Sequence, residues 1–264
     1  MFPASLLGRR HNHVLDPDRF RPVLFAKDPT VGPAAGESRD PESRSDARVP
    51  APLGDHVPTE PNRGFYLRVG KRALDLTFCG IGLLIALPVY FLCALAIKLD
   101  TPGPVLYRST RVGLGGRTFT FYKLRSMVHG ADKTRHQIAH LNEVTGPVFK
   151  IARDPRITRV GRILRRTSLD ELPQVFNVLK GDMTLVGPRP PIPEEVVQYE
   201  PWQLRRLSVR PGITCLWQVS GRSRLGFDEW MRLDKEYVER RGFGLDMAIL
   251  VRTIPAVLGG KGAY

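Results

Sequence analysis

Two adjacent carboxylates, Asp170 and Glu171, stand in the stretch Thr167-Ser168-Leu169-Asp170-Glu171-Leu172-Pro173-Gln174. The segment leading into them carries Arg153, Arg156, Arg159, Arg162, Arg165 and Arg166. Nearby guanidinium groups favour the charged form of a carboxyl, so the pair is expected to stay ionised at neutral pH. An ionised aspartate beside a cationic pocket can attack phosphorus, provided the pocket also binds the phosphate. The plainer alternative is a capping box, with Ser168 and Glu171 closing the start of a helix and Asp170 favoured by the helix dipole. That alternative puts Pro173 at the fifth helical position, where its missing N–H begins to cost a backbone bond.

Three further arginines sit at rigid turns. Arg189 lies between prolines in Gly187-Pro188-Arg189-Pro190-Pro191, so its backbone has little freedom left to lose. Arg210 precedes Pro211-Gly212, and Arg222 follows Gly221. Each alone reads as a turn with a solvated charge. Three in one small domain fit a diphosphate, which guanidinium groups hold in bidentate fashion. Asp234 falls four residues after Trp230 on the apolar side of a helix from Glu229 to Arg241. An inward carboxylate there serves equally as a salt bridge or as a metal or substrate contact. His129, His136 and His140 include an i, i+4 pair with no carboxylate ligand on that face, which favours solvent exposure over metal.

These groups need a scaffold and an address. The formal charge is +14; residues 1–63 hold nine basic and nine acidic side chains, so the whole excess lies in 64–264. A strongly basic folded part points to an anionic partner: nucleic acid, anionic lipid or phosphorylated substrates. Residues 1–63 also carry ten of the 23 prolines and read as a disordered tail with no secretory signal. Cys79, Cys93 and Cys215 lack C-x-x-C spacing and read as apolar fillers.

From Leu76 to Ile97 the chain runs 22 residues without a charge. As one helix that is roughly 33 Å, enough to cross a bilayer core. Pro88 divides the run into arms of twelve and nine residues. Basic residues stand outside both ends: Arg63, Arg68, Lys71 and Arg72 before, and Lys98, Arg108 and Arg111 after. Such loops prefer the cytoplasmic side, so the expected path dips into the membrane and bends back at Pro88 rather than crossing. A kinked spanning helix is the competing reading. A hairpin follows, with strands near Val105–Arg108 and Thr118–Lys123 and with Lys123, Arg125 and Arg111 near one end. In 153–166, Ile157, Val160, Ile163 and Leu164 recur at helical spacing opposite the arginines, as in a helix lying on lipid headgroups. Residues 129–144 read as a polar helix, and Leu245–Leu258 as an apolar one packed on membrane or core.

Several of these stretches occur together in one family. Lys71-Arg72-x-x-Asp75, the run split by Pro88, Phe121-Tyr122-Lys123-Leu124-Arg125-Ser126-Met127, the Ser168–Gln174 stretch, Asn177-Val178-Leu179-Lys180-Gly181-Asp182-Met183, Gly187-Pro188-Arg189-Pro190 and Arg210-Pro211-Gly212-Ile213-Thr214 keep their order. Over about residues 67–264 the chain resembles the bacterial sugar transferases, monotopic polyprenyl-phosphate phosphoglycosyl transferases. The resemblance implies a two-step transfer. Asp170 would attack the β-phosphate of a nucleotide-sugar, a UDP-sugar by expectation, and form an acyl-phosphate. A polyprenyl phosphate, usually undecaprenyl phosphate, would then displace Asp170. Glu171 would help hold Mg²⁺, with Asp234 as a second metal contact. Lys123, Arg165, Arg189, Arg210, Gln218 and Arg222 would contact substrate. The address implied is the cytoplasmic face of the bacterial inner membrane, in contact with phospholipid, with a homodimer left open. This chain departs at Leu87, where Ser is common, and at Cys215-Leu216-Trp217-Gln218-Val219-Ser220, where a Gly-Trp-x-Gln-Val-Asn-like run is common.

The expected architecture is thus α+β and mainly helical. It comprises a tail (1–63), a re-entrant membrane helix-hairpin broken at Pro88 (64–104), and a small membrane-surface catalytic domain with a short β-hairpin and amphipathic interfacial helices (105–264). The competing class is a membrane-tethered basic protein that binds nucleic acid or anionic lipid without catalysis. No recognisable nucleic-acid motif supports it.

Overall fold

The computed structural model describes residues 57, 59–144, 146–221 and 225–259. Most of the expected tail, and Arg222, lie outside the described residues. The described chain is mainly helical, with two small two-stranded sheets.

A π-helical turn over Tyr66–Gly70 leads into α1, Lys71–Asp100. At 30 residues α1 is about 45 Å long. Its buried residues Asp75, Cys79, Cys93 and Ile97 lie on one stripe, because steps of four and fourteen both return to the same face. The remaining surface is apolar and exposed, with Leu84, Ile85, Phe91, Leu92 and Leu99 each more than 65% accessible. Its hydropathy and length over Tyr66–Asp100 suffice to cross a membrane. The expected break at Pro88 does not divide the helix, which continues through it. A proline removes only its own donor and crowds one carbonyl, and the turns on either side keep their bonds.

Both ends of α1 are fastened to the same unit. At the start, Lys71 pairs with Asp246 at 2.5 Å and donates to the Val186 carbonyl. Arg72 donates to the carbonyls of Val178 and Leu179, and Asp75 accepts from Thr184 Oγ1 and the Leu185 amide. At the far end, Arg125 donates to the carbonyls of Ile97, Thr101 and Pro102, while Asp100 accepts from the Val160 amide. These bonds satisfy the carbonyls that a helix C-terminus leaves open.

Strands β1 (Leu106–Val112) and β2 (Thr118–Leu124) pair antiparallel. Arg111 faces Phe119 near the turn and Lys123 faces Tyr107 near the open end. The expected clustering of Arg111 with Lys123 at one end is therefore wrong along the ladder. Period two puts both on one face, where each cation lies over the buried Phe121 ring, at 5.2 and 5.9 Å. Ala131–Leu141 is a 3₁₀ helix, kinked at Ile138, with His129, His136 and His140 exposed around it.

Helix α2 (Arg159–Arg166) is capped by Thr158, whose Oγ1 accepts from the Gly161 amide. Its apolar residues split, correcting the single face expected. Val160 and Leu164 pack with Cys93, Ile97 and Leu124, whereas Ile163 is exposed among arginines. A 100° step per residue separates Ile163 from Leu164. Then come α3 (Gln174–Lys180), β3 (Thr184–Val186), α4 (Pro193–Val196), β4 (Gly212–Thr214) and α5 (Leu216–Ser220). Helices α6 (Phe227–Arg240) and α7 (Phe243–Leu258) complete the fold. β3 and β4 run parallel, and Gly187 and Gly212 meet at their ends: Gly187 N–H donates to Thr214 O and Gly212 N–H to Pro188 O. That contact brings the Pro-Arg-Pro turn and the Arg-Pro-Gly turn back to back. Tyr237, Val186, Leu216 and Ile249 close the core on this side.

Candidate active site

The capping box is not formed. Ser168 adopts φ +58° and ψ +16° and makes no side-chain cap bond. It is the only non-glycine residue with positive φ among the described residues. A left-handed residue reverses the chain at the end of α2, and strain of this kind gathers at functional sites. The carboxylates then lie on a 3₁₀ turn, Leu169–Glu171, and α3 begins only after Pro173. Pro173 therefore precedes the helix, where no amide is missed.

The turn places both carboxylates in a cavity of about 1190 Å³. Lys123 bridges them: its Nζ lies 3.3 Å from Asp170 Oδ2 and 2.9 Å from Glu171 Oε1. Arg189 reaches the same Oε1 at 3.0 Å. Asp170 is only 4% accessible. Arg165 lines the cavity with its Nε donating to Ser126 Oγ at 3.1 Å. Gln218 also lines it, and its Oε1 accepts from the Cys215 thiol. Six of the residues singled out from sequence thus meet here: Asp170, Glu171, Lys123, Arg165, Arg189 and Gln218.

Burial would raise the Glu171 carboxyl, but the Lys123 and Arg189 charges and hydrogen bonds overcome it and hold the group at about 2. Burial pulls Arg189 down, and Glu171 more than restores it, so the guanidinium rises above its usual value. Arg165 is lowered, chiefly by burial, with Asp170 acting against the shift. Since unfolded Glu171 titrates near 4.5, its ion pairs contribute stability that is complete above that value and lost as pH falls through about 2. Glu171→Gln is expected to flatten the stability curve across that window, read by thermal unfolding. A slope matching the parent's would mean that these ion pairs do not form.

Two expected site residues are elsewhere. Arg210 is exposed and does not line the cavity. Asp234 is fully buried and lies 2.8 Å from Arg206, so the salt-bridge alternative holds and the metal role has no support in its position. Burial pushes Asp234 up to about 6, with Arg206 opposing. Arg206 donates to the carbonyl of Arg189 at 2.7 Å and to the Tyr199 hydroxyl at 2.9 Å, so the pair steadies the Arg189 turn from behind. Sequence reasoning missed Arg206 and Glu195, and gave no role to Ser126, which it named only within a motif; Ser126 and Glu195 both line the cavity. Only tertiary contacts distinguish them from ordinary surface polar residues.

Magnesium prefers few carboxylates plus waters and phosphate oxygens to an all-protein cage. No cluster of three acidic, histidine or cysteine ligands occurs among the described residues. Lys123 and Arg189 both bind Oε1 of Glu171, so an ion shared with a bound diphosphate would have to take its Oε2.

A family model described as bacterial sugar transferase matches residues 66–260. The chain is 46% identical over 196 residues to the galactosyl transferase CpsE of Streptococcus agalactiae, a match covering 74% of this chain and 43% of that one. It is 35% identical over 200 residues to the exopolysaccharide production protein ExoY of Rhizobium meliloti, covering 74% and 88%. Against the undecaprenyl-phosphate galactose phosphotransferase of Salmonella typhimurium it is 41% identical over 198 residues, covering 74% and 41%. The chain spans less than half the length of the first and third of these relatives.

Proposed function

Because the chain belongs to the bacterial sugar transferase family, we propose that it moves a sugar-1-phosphate from a nucleotide-sugar to a polyprenyl phosphate through a covalent intermediate on Asp170. The observation that carries this reading is the Asp170–Glu171 pair, bridged by Lys123 and faced by Arg189 and Arg165 in one cavity. An Asp170 oxygen attacks the β-phosphorus of the donor. The bond from that phosphorus to the bridging oxygen breaks, and the nucleoside monophosphate leaves. An acceptor phosphate oxygen then attacks the same phosphorus, the acyl-phosphate bond breaks, and the Asp170 carboxylate is regenerated. Lys123, Arg165 and Arg189 stabilise the charge that builds on the phosphoryl oxygens. Mg²⁺ held at Glu171 would offset the charge of the diphosphate. Relatives named undecaprenyl-phosphate galactose phosphotransferase and UDP-glucose:undecaprenyl-phosphate glucose-1-phosphate transferase support undecaprenyl phosphate as acceptor and a UDP-sugar as donor. The step would then open synthesis of an exopolysaccharide, O-antigen or related glycoconjugate.

The membrane address belongs to the same proposal. Two ends of one apolar helix fastened to a single polar unit support both ends lying on one side, the cytoplasmic face of the inner membrane. The re-entrant path would be a single helix bending at Pro88, rather than two helices and a turn. Single cysteines near residues 64 and 104, in a background lacking Cys79, Cys93 and Cys215, should label from the same side of sealed vesicles. Labelling from opposite sides would make α1 a spanning helix.

The function is tested by presenting purified protein with undecaprenyl phosphate and a panel of nucleotide-sugars. Release of UMP together with a lipid-linked sugar diphosphate is expected. Absence of turnover with every donor would contradict the reading.

A further inference from the structure

A side recess of about 70 Å³ opens from the cavity and shares with it Arg111, Val148, Arg189, Glu195, Trp217 and Trp230. Three N–H donors on the recess wall are buried without a hydrogen-bond partner: Arg111 Nε, Arg206 Nε and Trp217 Nε1. Asp234, whose own oxygens also lack a hydrogen-bond partner, lies 2.8 Å from Arg206 and accounts for that group. Buried donors are nearly always paired, so the two that remain, on Arg111 and Trp217, call for an acceptor. The neighbouring atoms are already committed. Arg111 donates through NH1 to the Pro190 carbonyl, and Arg206 through NH1 and NH2 to Tyr199 and Arg189. The Trp217 ring stacks on Trp230 at 4.6 Å and 17°, leaving its N–H edge as the unused group. Glu195 supplies the one carboxylate in the wall. Burial raises its carboxyl, with Arg111 and Arg206 opposing.

We propose that this recess holds the glycosyl ring of the donor, with ring hydroxyls accepting from Arg111 and Trp217 and donating to Glu195. The inference rests on the sugar-phosphate transfer proposed above. A hydroxyl both donates and accepts, which suits two donors set around one carboxylate. Position argues the same way. Arg189 borders the recess and binds Glu171, so the recess begins one side chain from the carboxylate pair. In a nucleotide-sugar the sugar is joined directly to the phosphate that Asp170 attacks, whereas the base stands beyond a second phosphate and a ribose.

Trp217→Phe keeps the stacked ring and removes the N–H, and Glu195→Gln keeps the shape and removes the charge. Each would be compared with the parent for kcat/KM over UDP-sugars that differ only at ring hydroxyls, and for inhibition by UMP, which lacks the transferred glycosyl ring. The expected result is a three- to tenfold change, roughly one hydrogen bond, in selectivity between epimeric donors while UMP inhibition stays at the parental value. Retained UMP inhibition also shows that the variant is folded. Weakened UMP inhibition in proportion to kcat/KM, or an equal change for every donor, would overturn the assignment. If the parent turns over no donor, the transfer reading fails instead, before the recess is in question.

Discussion

Asp170→Asn is expected to lower nucleoside monophosphate release by on the order of 10⁴-fold or more, as loss of a covalent nucleophile does elsewhere. The amide keeps the shape and can still accept from Lys123, which lies 3.3 Å away, so the turn should persist. What disappears is the anionic oxygen able to form an acyl-phosphate. Glu171→Gln should cost less, because the nucleophile stays and what is weakened is the anchor of Lys123 and Arg189 and the oxygen proposed to hold Mg²⁺. Both are read by coupled UMP release against the parent. Asp170→Asn turning over within tenfold of the parent would remove Asp170 from the role of nucleophile.

The second large effect is structural. A Cβ on Gly212 would lie 2.1 Å from the Gly187 nitrogen and 2.6 Å from its carbonyl oxygen. Backbone cannot swing aside as a side chain can, so Gly212→Ala should cost about 3 kcal/mol or more. The loss should also reach activity, since Gly187 leads straight into Pro188-Arg189. A control is at hand in Gly244, inside α7, where a Cβ meets nothing within 4 Å. Gly244→Ala should be neutral or gain up to about 1 kcal/mol from helix propensity. Thermal unfolding of the three proteins side by side checks both statements. Equal stability of Gly212→Ala and the parent would mean that the two turns do not touch.

What the sequence made legible were features set by local spacing. The uncharged run gave α1 through its length, the period of two gave the hairpin, and the arginine-flanked Asp170-Glu171 pair gave the floor of the cavity. S-x-x-E satisfies the capping pattern, so spacing alone left the capping alternative standing; a left-handed backbone at Ser168 removes it by turning the chain before α3 can begin. Arg210 misled. Arg189 and Arg210 carry the same kind of rigid turn, but the glycine contact sends only Arg189 towards Glu171. For Asp234 the helical period placed the carboxylate inward correctly. Its partner could not be read, because Arg206 comes from a separate 3₁₀ segment, Gln203–Ser208. The orphan donors of the side recess are the extreme case, since an unmade hydrogen bond leaves no trace in residue order.

The central claim is a bonded stage on one oxygen, and the most direct measurement is intact mass after mixing the full chain with nucleotide-sugar in the absence of polyprenyl phosphate. The expected result is a gain equal to one sugar-phosphate, matched by released UMP and mapped by peptide sequencing to Asp170. Mass found on a different side chain, or UMP that appears only with acceptor while the protein mass never changes, would contradict it.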